Sequence, residues 1–142
     1  MGQYYLPLVC VVFANTLYHI CAKHISPVAH PLAMLVVTYL VAAATAFLAF
    51  WITSQGNSFV LQLKNITWAP IGIGLSVVGL DLGFILLYRA GWNISLASLV
   101  TSVVVAMILL FIGLSFYKEH IDIYKLIGIA FCVIGLIFIN KQ

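Results

Sequence analysis

The sequence predicts an all-α integral membrane protein with five transmembrane helices, and two observations carry that prediction. Hydrophobic residues make up 65% of the 142 positions, whereas charged residues make up only 6%. A soluble domain needs more charge to cover its surface, and one buried core would not use so many apolar residues. The apolar residues also fall into five runs of about 20 residues, the length that crosses a hydrocarbon core of about 30 Å.

The five spans are predicted to form one domain over residues 1–142. Their approximate bounds are 5–24, 31–52, 68–89, 94–117 and 121–140. Aromatic residues such as Tyr5, Trp51 and Trp68 stand near these borders, where the headgroup level of a bilayer favours them. The first run has no basic segment before it and no small-residue cleavage site, so we expect it to be retained as a helix. In the loop over residues 53–67, the apolar stretch 59–64 is expected to form a short helix at the membrane interface.

The six basic residues are divided evenly between the two faces of the predicted bundle. The N-terminal face (side A) and the C-terminal face (side B) each carry three, namely Lys64, Lys118 and Lys125 on side A and Lys23, Arg89 and Lys141 on side B. The positive-inside rule therefore predicts no orientation. Two interpretations stay open: the tie is chance in a chain with few charges, or copies insert both ways and pair antiparallel. No run of Lys or Arg forms a patch, so nucleic acid is not an expected partner.

Asp81 is one of three acidic residues and stands inside the third span, flanked by Gly79 and Gly83. An ionisable side chain at that depth costs at least about 2.5–3.5 kcal/mol on insertion scales and marks a functional site by default. It is either a structural group, ion-paired or permanently protonated, or a site that binds a proton in one state and a cation in another. We favour the second interpretation, because such a carboxylate would couple the two species as an exchanger.

Counting 1.5 Å per residue from the middle of each span places most intramembrane polar residues in one layer on side B of the midplane. Asp81, His19, Tyr39 and Ser102 have similar depths, and Asn15 lies near the midplane. Asp81 is therefore the predicted site for the substrate or proton, with five cavity residues around it, namely Asn15, Tyr18, His19, Tyr39 and Ser102. His19 would either pack against a backbone carbonyl or pair with Asp81 and share its proton.

Small residues form stripes on two of the predicted helices. Gly79 and Gly83 in the third span, and Gly128 and Gly135 in the fifth, are candidate helix-packing positions within the protomer or across a dimer. No nucleophile–base pair, phosphate-binding loop or metal-ligand cluster appears, and the three cysteines stand singly in apolar segments. We therefore expect neither enzymatic activity nor a cofactor nor a metal.

Three stretches of the second half resemble a known family. The run 86–102, LLYRAGWNISLASLVTS, is similar to the helix-three exit and helix-four entrance of the EamA-like branch of the drug/metabolite transporter superfamily. The acidic loop 116–122 and the glycine-bearing segment 128–135 also resemble that branch. Small multidrug-resistance proteins are its four-helix relatives, but the glutamate that those proteins carry in helix one is absent here. The proline common in helix four of the branch is also absent, between Thr101 and Met107.

The resemblance implies a secondary-active transporter of a small metabolite or organic cation. One EamA-like repeat has five helices and full-length members carry two, so this chain is similar to a single-repeat, half-length member. A homodimer, antiparallel if the repeats are inverted, would complete it. We expect a multi-pass protein of the cell (plasma) membrane. Its expected partners are a small-molecule substrate, protons or cations, and the lipid bilayer. The alternatives are a non-transporting membrane assembly subunit and a flippase-like lipid carrier.

Overall fold

The computed structural model describes residues 2–54, 56, 58–64, 66–118, 127–128, 131–132, 134–135 and 138. The chain divides into two compact units, Met1–Gly91 and Trp92–Gln142. The first unit contains helices α1 (Gly2–Lys23), α2 (Pro31–Thr53), α3 (Phe59–Leu63) and α4 (Ala69–Arg89), and the second contains α5 (Ile94–Ser115). Over the described residues all regular secondary structure is helical, as predicted.

Helices α1, α2, α4 and α5 are each long and apolar enough to cross a membrane. Their bounds agree with the first four predicted spans, except that α1 begins earlier, at Gly2. Most of the predicted fifth span, 121–140, lies outside the described residues. The residues described there, 127–128, 131–132, 134–135 and 138, are helical. A five-span, single-domain chain thus stays a prediction, and the described residues contain four helices that could span a membrane.

The ends of the helices follow from a few residues. Proline suits a first turn, where its missing N–H is not needed, and Pro31 and Pro70 stand in the first turns of α2 and α4. Lys23 and Arg89 occupy the last turns of α1 and α4, where a cation interacts favourably with the helix dipole. After α4 the backbone turns at Gly91, whose φ of 93° favours glycine.

Helix α4 is the common packing partner of α1 and α2. Against α1, Asp81 contacts Tyr18 and, further along, Tyr88 lies beneath the amine of Lys23. The residue numbers rise together, so α1 and α4 run parallel, and their C-terminal ends lie on side B. This arrangement brings the basic last turns of both helices to the same face.

Helices α2 and α4 run antiparallel, because Asp81 contacts Tyr39 whereas Ile85 shares a cavity with the earlier Leu35. Few side chains of this unit are buried, as expected for helices whose outer faces meet lipid rather than water. The buried residues of the described first unit are His19, Ala22, Leu35, Asp81, Ile85 and Tyr88. Three of these six, His19, Asp81 and Tyr88, have ionisable side chains, so the core of the unit is also its polar centre.

The short helix α3 lies where the apolar loop stretch predicted it. Its first residue, Phe59, makes edge contacts with Phe47 and Phe50, with ring centroids 5.5 and 5.4 Å apart. All five residues of α3 are exposed. The contacts fix this helix to the side-A end of α2.

The glycines that were predicted to pack against another helix have no such neighbour among the described residues. A Cβ added at Gly79, Gly83, Gly128 or Gly135 would meet no atom within 4 Å. A helix contact at these positions therefore stays a prediction for a partner. In the second unit, α5 buries Ala97 and Gly113.

Candidate functional site

Asp81 is held by two tyrosines from two other helices. The Tyr18 hydroxyl on α1 donates a hydrogen bond of 2.8 Å to Oδ1, and the Tyr39 hydroxyl on α2 donates one of 2.9 Å to Oδ2. Asp81 is only 7% exposed. Over the described residues no Lys, Arg or His makes a salt bridge with its carboxyl, so the partners of this group are neutral phenols.

The geometry leaves Asp81 with unused hydrogen-bonding capacity. An ionised carboxylate offers about four lone-pair positions, and the two phenols use one on each oxygen. Tyrosine hydroxyls also accept hydrogen bonds, so the same trio can hold the protonated acid by rotating an O–H. The site can thus hold either form of the carboxyl without rearranging its helices.

A cavity of about 170 Å³ opens beside the carboxyl. Its polar residues are Asp81, Tyr18 and Thr38, and the rest of its lining is apolar. The apolar lining consists of Cys21, Ala22, Ile25, Leu35 and Ile85. A ligand in this cavity would meet one carboxyl group in otherwise apolar surroundings.

His19 differs from both predicted alternatives, because its Nδ1 shares a hydrogen bond of 2.8 Å with the Tyr88 hydroxyl. Its ring makes edge contacts with Phe84 and Tyr18, at centroid distances of 4.8 and 5.1 Å. Successive residues of a helix point about 100° apart at 3.6 residues per turn. Tyr18 therefore faces Asp81, whereas His19 faces the next turns of α4. Its pairing with Asp81 is absent from the described residues.

A second, basic cavity of about 220 Å³ lies at the side-B end of α1 and α4. Arg89 and Lys23 line it together with Tyr88. The Arg89 Nη2 donates to the carbonyls of Ser26 and Ala29, at 2.9 and 2.6 Å, which ties α4 to the loop after α1. The Lys23 amine lies 5.5 Å from the centroid of the Tyr88 ring.

The two remaining predicted cavity residues are both exposed. Asn15 is exposed on α1, and among the described residues its side chain has no hydrogen-bond partner. Ser102 belongs to α5 in the second unit and is exposed there. The described part of the chain contains no group of three His, Cys, Asp or Glu side chains that would hold a metal ion.

Six other hydroxyls in the described spans bond to their own helix. Thr16, Thr45 and Ser76 donate to the carbonyl four residues earlier, at 2.8, 2.8 and 2.9 Å. A hydroxyl satisfied in this way faces hydrocarbon at little cost. Tyr18 and Tyr39 differ because their hydroxyls bridge helices and meet on one carboxyl.

The sequence placed Lys23 and Arg89 on side B, and both line the second cavity together with Tyr88. A signal for Tyr88 was present, because positions 81, 85 and 88 follow the i, i+4, i+7 spacing of one helix face. No comparable signal marks the pairing of Lys23 with Arg89, since both also suit the lipid interface.

Comparisons with known proteins agree with this architecture. No curated protein and no solved structure matches the chain. The model of the EamA-like transporter family matches residues 3–141, nearly the whole chain, which confirms the resemblance drawn from the sequence. With its membrane-spanning helices and a carboxyl-centred cavity, the chain belongs to the EamA-like transporter family, whose members carry small compounds across membranes.

Proposed function

We propose that this protein is a secondary-active transporter in the plasma membrane that couples movement of a small metabolite or organic cation to protons through Asp81. The observation that carries the proposal is the pair of phenol hydrogen bonds on Asp81, at 2.8 and 2.9 Å, without a protein cation on the carboxyl in the described residues. Tyr18 and Tyr39 are the positioning and substrate-contacting residues, and His19 supports Tyr18 through its ring contact.

The physical reason is charge balance. An ionised carboxylate in the bilayer is costly, and hydrogen bonds from neutral phenols offset only part of that cost. A proton or a cationic substrate neutralises it, and the two compete for the same oxygens. Binding one therefore releases the other, which is the coupling that an exchanger needs.

The transporter acts as a dimer in this proposal, with two copies in antiparallel orientation. The even division of basic residues between the faces supports it, because such a chain has no preferred orientation. The exposure of Asn15 is a second, independent observation in favour of the dimer. An exposed amide near the middle of a span is unfavourable in hydrocarbon and is better placed against another helix. The open glycine face at Gly79 and Gly83 would let that helix approach closely.

The first test is Asp81→Asn in liposomes under an imposed pH gradient. Purified protein is screened with a panel of small amines and metabolites, and both compound uptake and internal pH are followed. We expect the wild type to couple at least one compound to proton movement, and D81N to lose at least 90% of the coupled flux, because an amide cannot exchange a proton. Ser76→Ala is the matched control on α4, since the Ser76 hydroxyl bonds its own helix.

The outcomes separate this proposal from its rivals. A folded D81N that keeps full pH-driven uptake would overturn the role of Asp81. If the wild type moved no compound and no protons with any member of the panel, a non-transporting assembly subunit would be favoured. Movement of labelled lipid between leaflets, unaffected by the pH gradient, would favour the lipid carrier.

A further inference from the structure

Two cavities of opposite charge adjoin each other in the first unit. The acidic cavity contains Asp81, and the basic cavity contains Lys23 and Arg89. Both are lined by the same three apolar residues, Ala22, Ile25 and Ile85. The two cavities therefore share an apolar wall, with a negative group on one side of it and positive groups on the other.

Arg89 is prepared to bind an anion. Its Nη2 is fixed on two loop carbonyls, and its partners in the described residues are backbone carbonyls rather than a carboxylate. Its Nε is buried and has no hydrogen-bond partner among the described residues. A guanidinium has five N–H donors in a planar fork that matches a carboxylate or phosphate. Lys23 lines the same cavity and adds a second positive charge.

The volumes of the two cavities also favour a single ligand that occupies both. Small-molecule sites usually occupy about 300–1,000 Å³, and cavities of about 170 and 220 Å³ fall short of that range separately. Joined across Ala22, Ile25 and Ile85, they reach it. A single ligand occupying both would contact the acidic end, the apolar wall and the basic end in turn.

We propose, building on the function proposed above, that the substrate is an elongated zwitterion. Its ammonium group binds Asp81 and Tyr18, its apolar middle lies against Ala22 and Ile85, and its carboxylate or phosphate binds Arg89 and Lys23. A ligand bound at both ends would neutralise the negative charge of Asp81 and the positive charges of Arg89 and Lys23 at the same time.

The spacing sets the length of this ligand. Asp81 and Arg89 are eight residues apart on one helix, about 12 Å along its axis. The charged groups of an α-amino acid lie within one residue, which spans less than about 4 Å, so it reaches one end only. A tripeptide, at roughly 10 Å, or an ω-amino acid with a long methylene chain fits the separation.

The test compares ligands of increasing length on the purified protein in nanodiscs of phosphatidylcholine. Dissociation constants are measured for glycine, γ-aminobutyrate, ε-aminocaproate and ω-aminocaprylate, and for the amines that lack the carboxylate. We expect the carboxylate to improve affinity at least tenfold for the long ligands and to add nothing for glycine. Lys23→Gln and Arg89→Gln should reduce that discrimination at least tenfold, and D81N should weaken the amines and the amino acids alike.

Each other outcome has a defined meaning. Equal affinity for long amines and their amino acids, or discrimination that survives in both basic-site variants, would overturn the zwitterion. If anionic phosphatidylglycerol in the nanodiscs abolished the discrimination, the basic cavity would hold a lipid phosphate, which also overturns it. These failures leave proton-coupled transport of amines intact, whereas pH-driven uptake that survives in D81N defeats the proposed function itself. Lys23→Gln keeps the test valid if Arg89→Gln fails to fold, because the hydrogen bonds that fix the loop after α1 come from Arg89.

Discussion

The two halves of the first unit differ in where their side chains form hydrogen bonds and in how many of their residues are buried. In the side-B half (residues 17–39 and 80–89), side chains bond across helices, and all six buried residues of the described unit lie there. In the side-A half (residues 2–16, 40–53 and 69–79), apolar side chains such as Val12, Val41 and Ile73 are 59, 61 and 63% exposed. Its hydroxyls return to their own helices.

The difference shows where the helices are held together. Lipid tails are as apolar as leucine, so apolar surface alone does not bring helices together in a bilayer. Close packing and hydrogen bonds between helices provide the specific association. In the described unit, the buried residues and the hydrogen bonds that join α1, α2 and α4 lie in the side-B half. The proposed site is therefore also the main structural contact of α1, α2 and α4, and the comparison predicts unequal effects of matched substitutions.

The largest difference in stability is expected between two isoleucines of α4. Ile85 is 2% exposed between the two cavities, and Ile73 is 63% exposed. Ile85→Ala should lower the free energy of unfolding by about 2 kcal/mol, the lower end of the range for soluble cores, because the unfolded helix keeps its side chains in hydrocarbon. Ile73→Ala should change it by less than about 0.5 kcal/mol. Unfolding by SDS in mixed micelles measures both, and equal losses would mean that the side-A half is packed as tightly as the side-B half.

The sequence predicted the positions of these residues along the membrane normal, but not their pairing. Depth follows from counting 1.5 Å per residue, which placed Tyr39 and His19 close to the level of Asp81. Pairing depends on the rotation of each helix about its axis, and periodicity constrains that rotation poorly when nearly every face is apolar. Tyr18 and His19 differ by one residue in depth, yet Tyr18 contacts Asp81 and His19 contacts Tyr88. Prolines or terminal cations mark at least one end of α1, α2 and α4, which helped to make the bounds of these three spans predictable.

A smaller effect is expected from removing one phenol hydroxyl. Tyr39→Phe should lower the free energy of unfolding by about 1–2 kcal/mol. A hydrogen bond to a charged group stabilises a protein by more than the average hydrogen bond between membrane helices does. Ser76→Ala, which removes a hydroxyl bonded within α4, should lower it by less than about 0.5 kcal/mol.

The two variants should also differ in coupling. Without the Tyr39 hydroxyl, Asp81 keeps only the Tyr18 bond, so its ionised form is less stabilised. The coupled flux of Tyr39→Phe should then fall relative to the wild type and S76A. A folded Tyr39→Phe protein with unchanged coupled flux would show that this bond supports the fold without contributing to the site.

The smallest effect concerns Asn15, the exposed amide of the side-A half that lacks a partner in the described residues. If a second copy covers it, Asn15→Leu removes a hydrogen bond between protomers worth about 0.6 kcal/mol on average in membrane proteins. Dimerisation should then weaken about threefold, which single-molecule photobleaching in liposomes at decreasing protein density resolves. Val12→Leu, about one turn earlier on α1 and also exposed, is the matched control. Stronger or unchanged dimerisation in N15L would instead mean that this face of α1 meets lipid, because replacing an unpaired amide with leucine is favourable in hydrocarbon. The dimer would then require a different surface, and the open glycine face at Gly79 and Gly83 is the next to test.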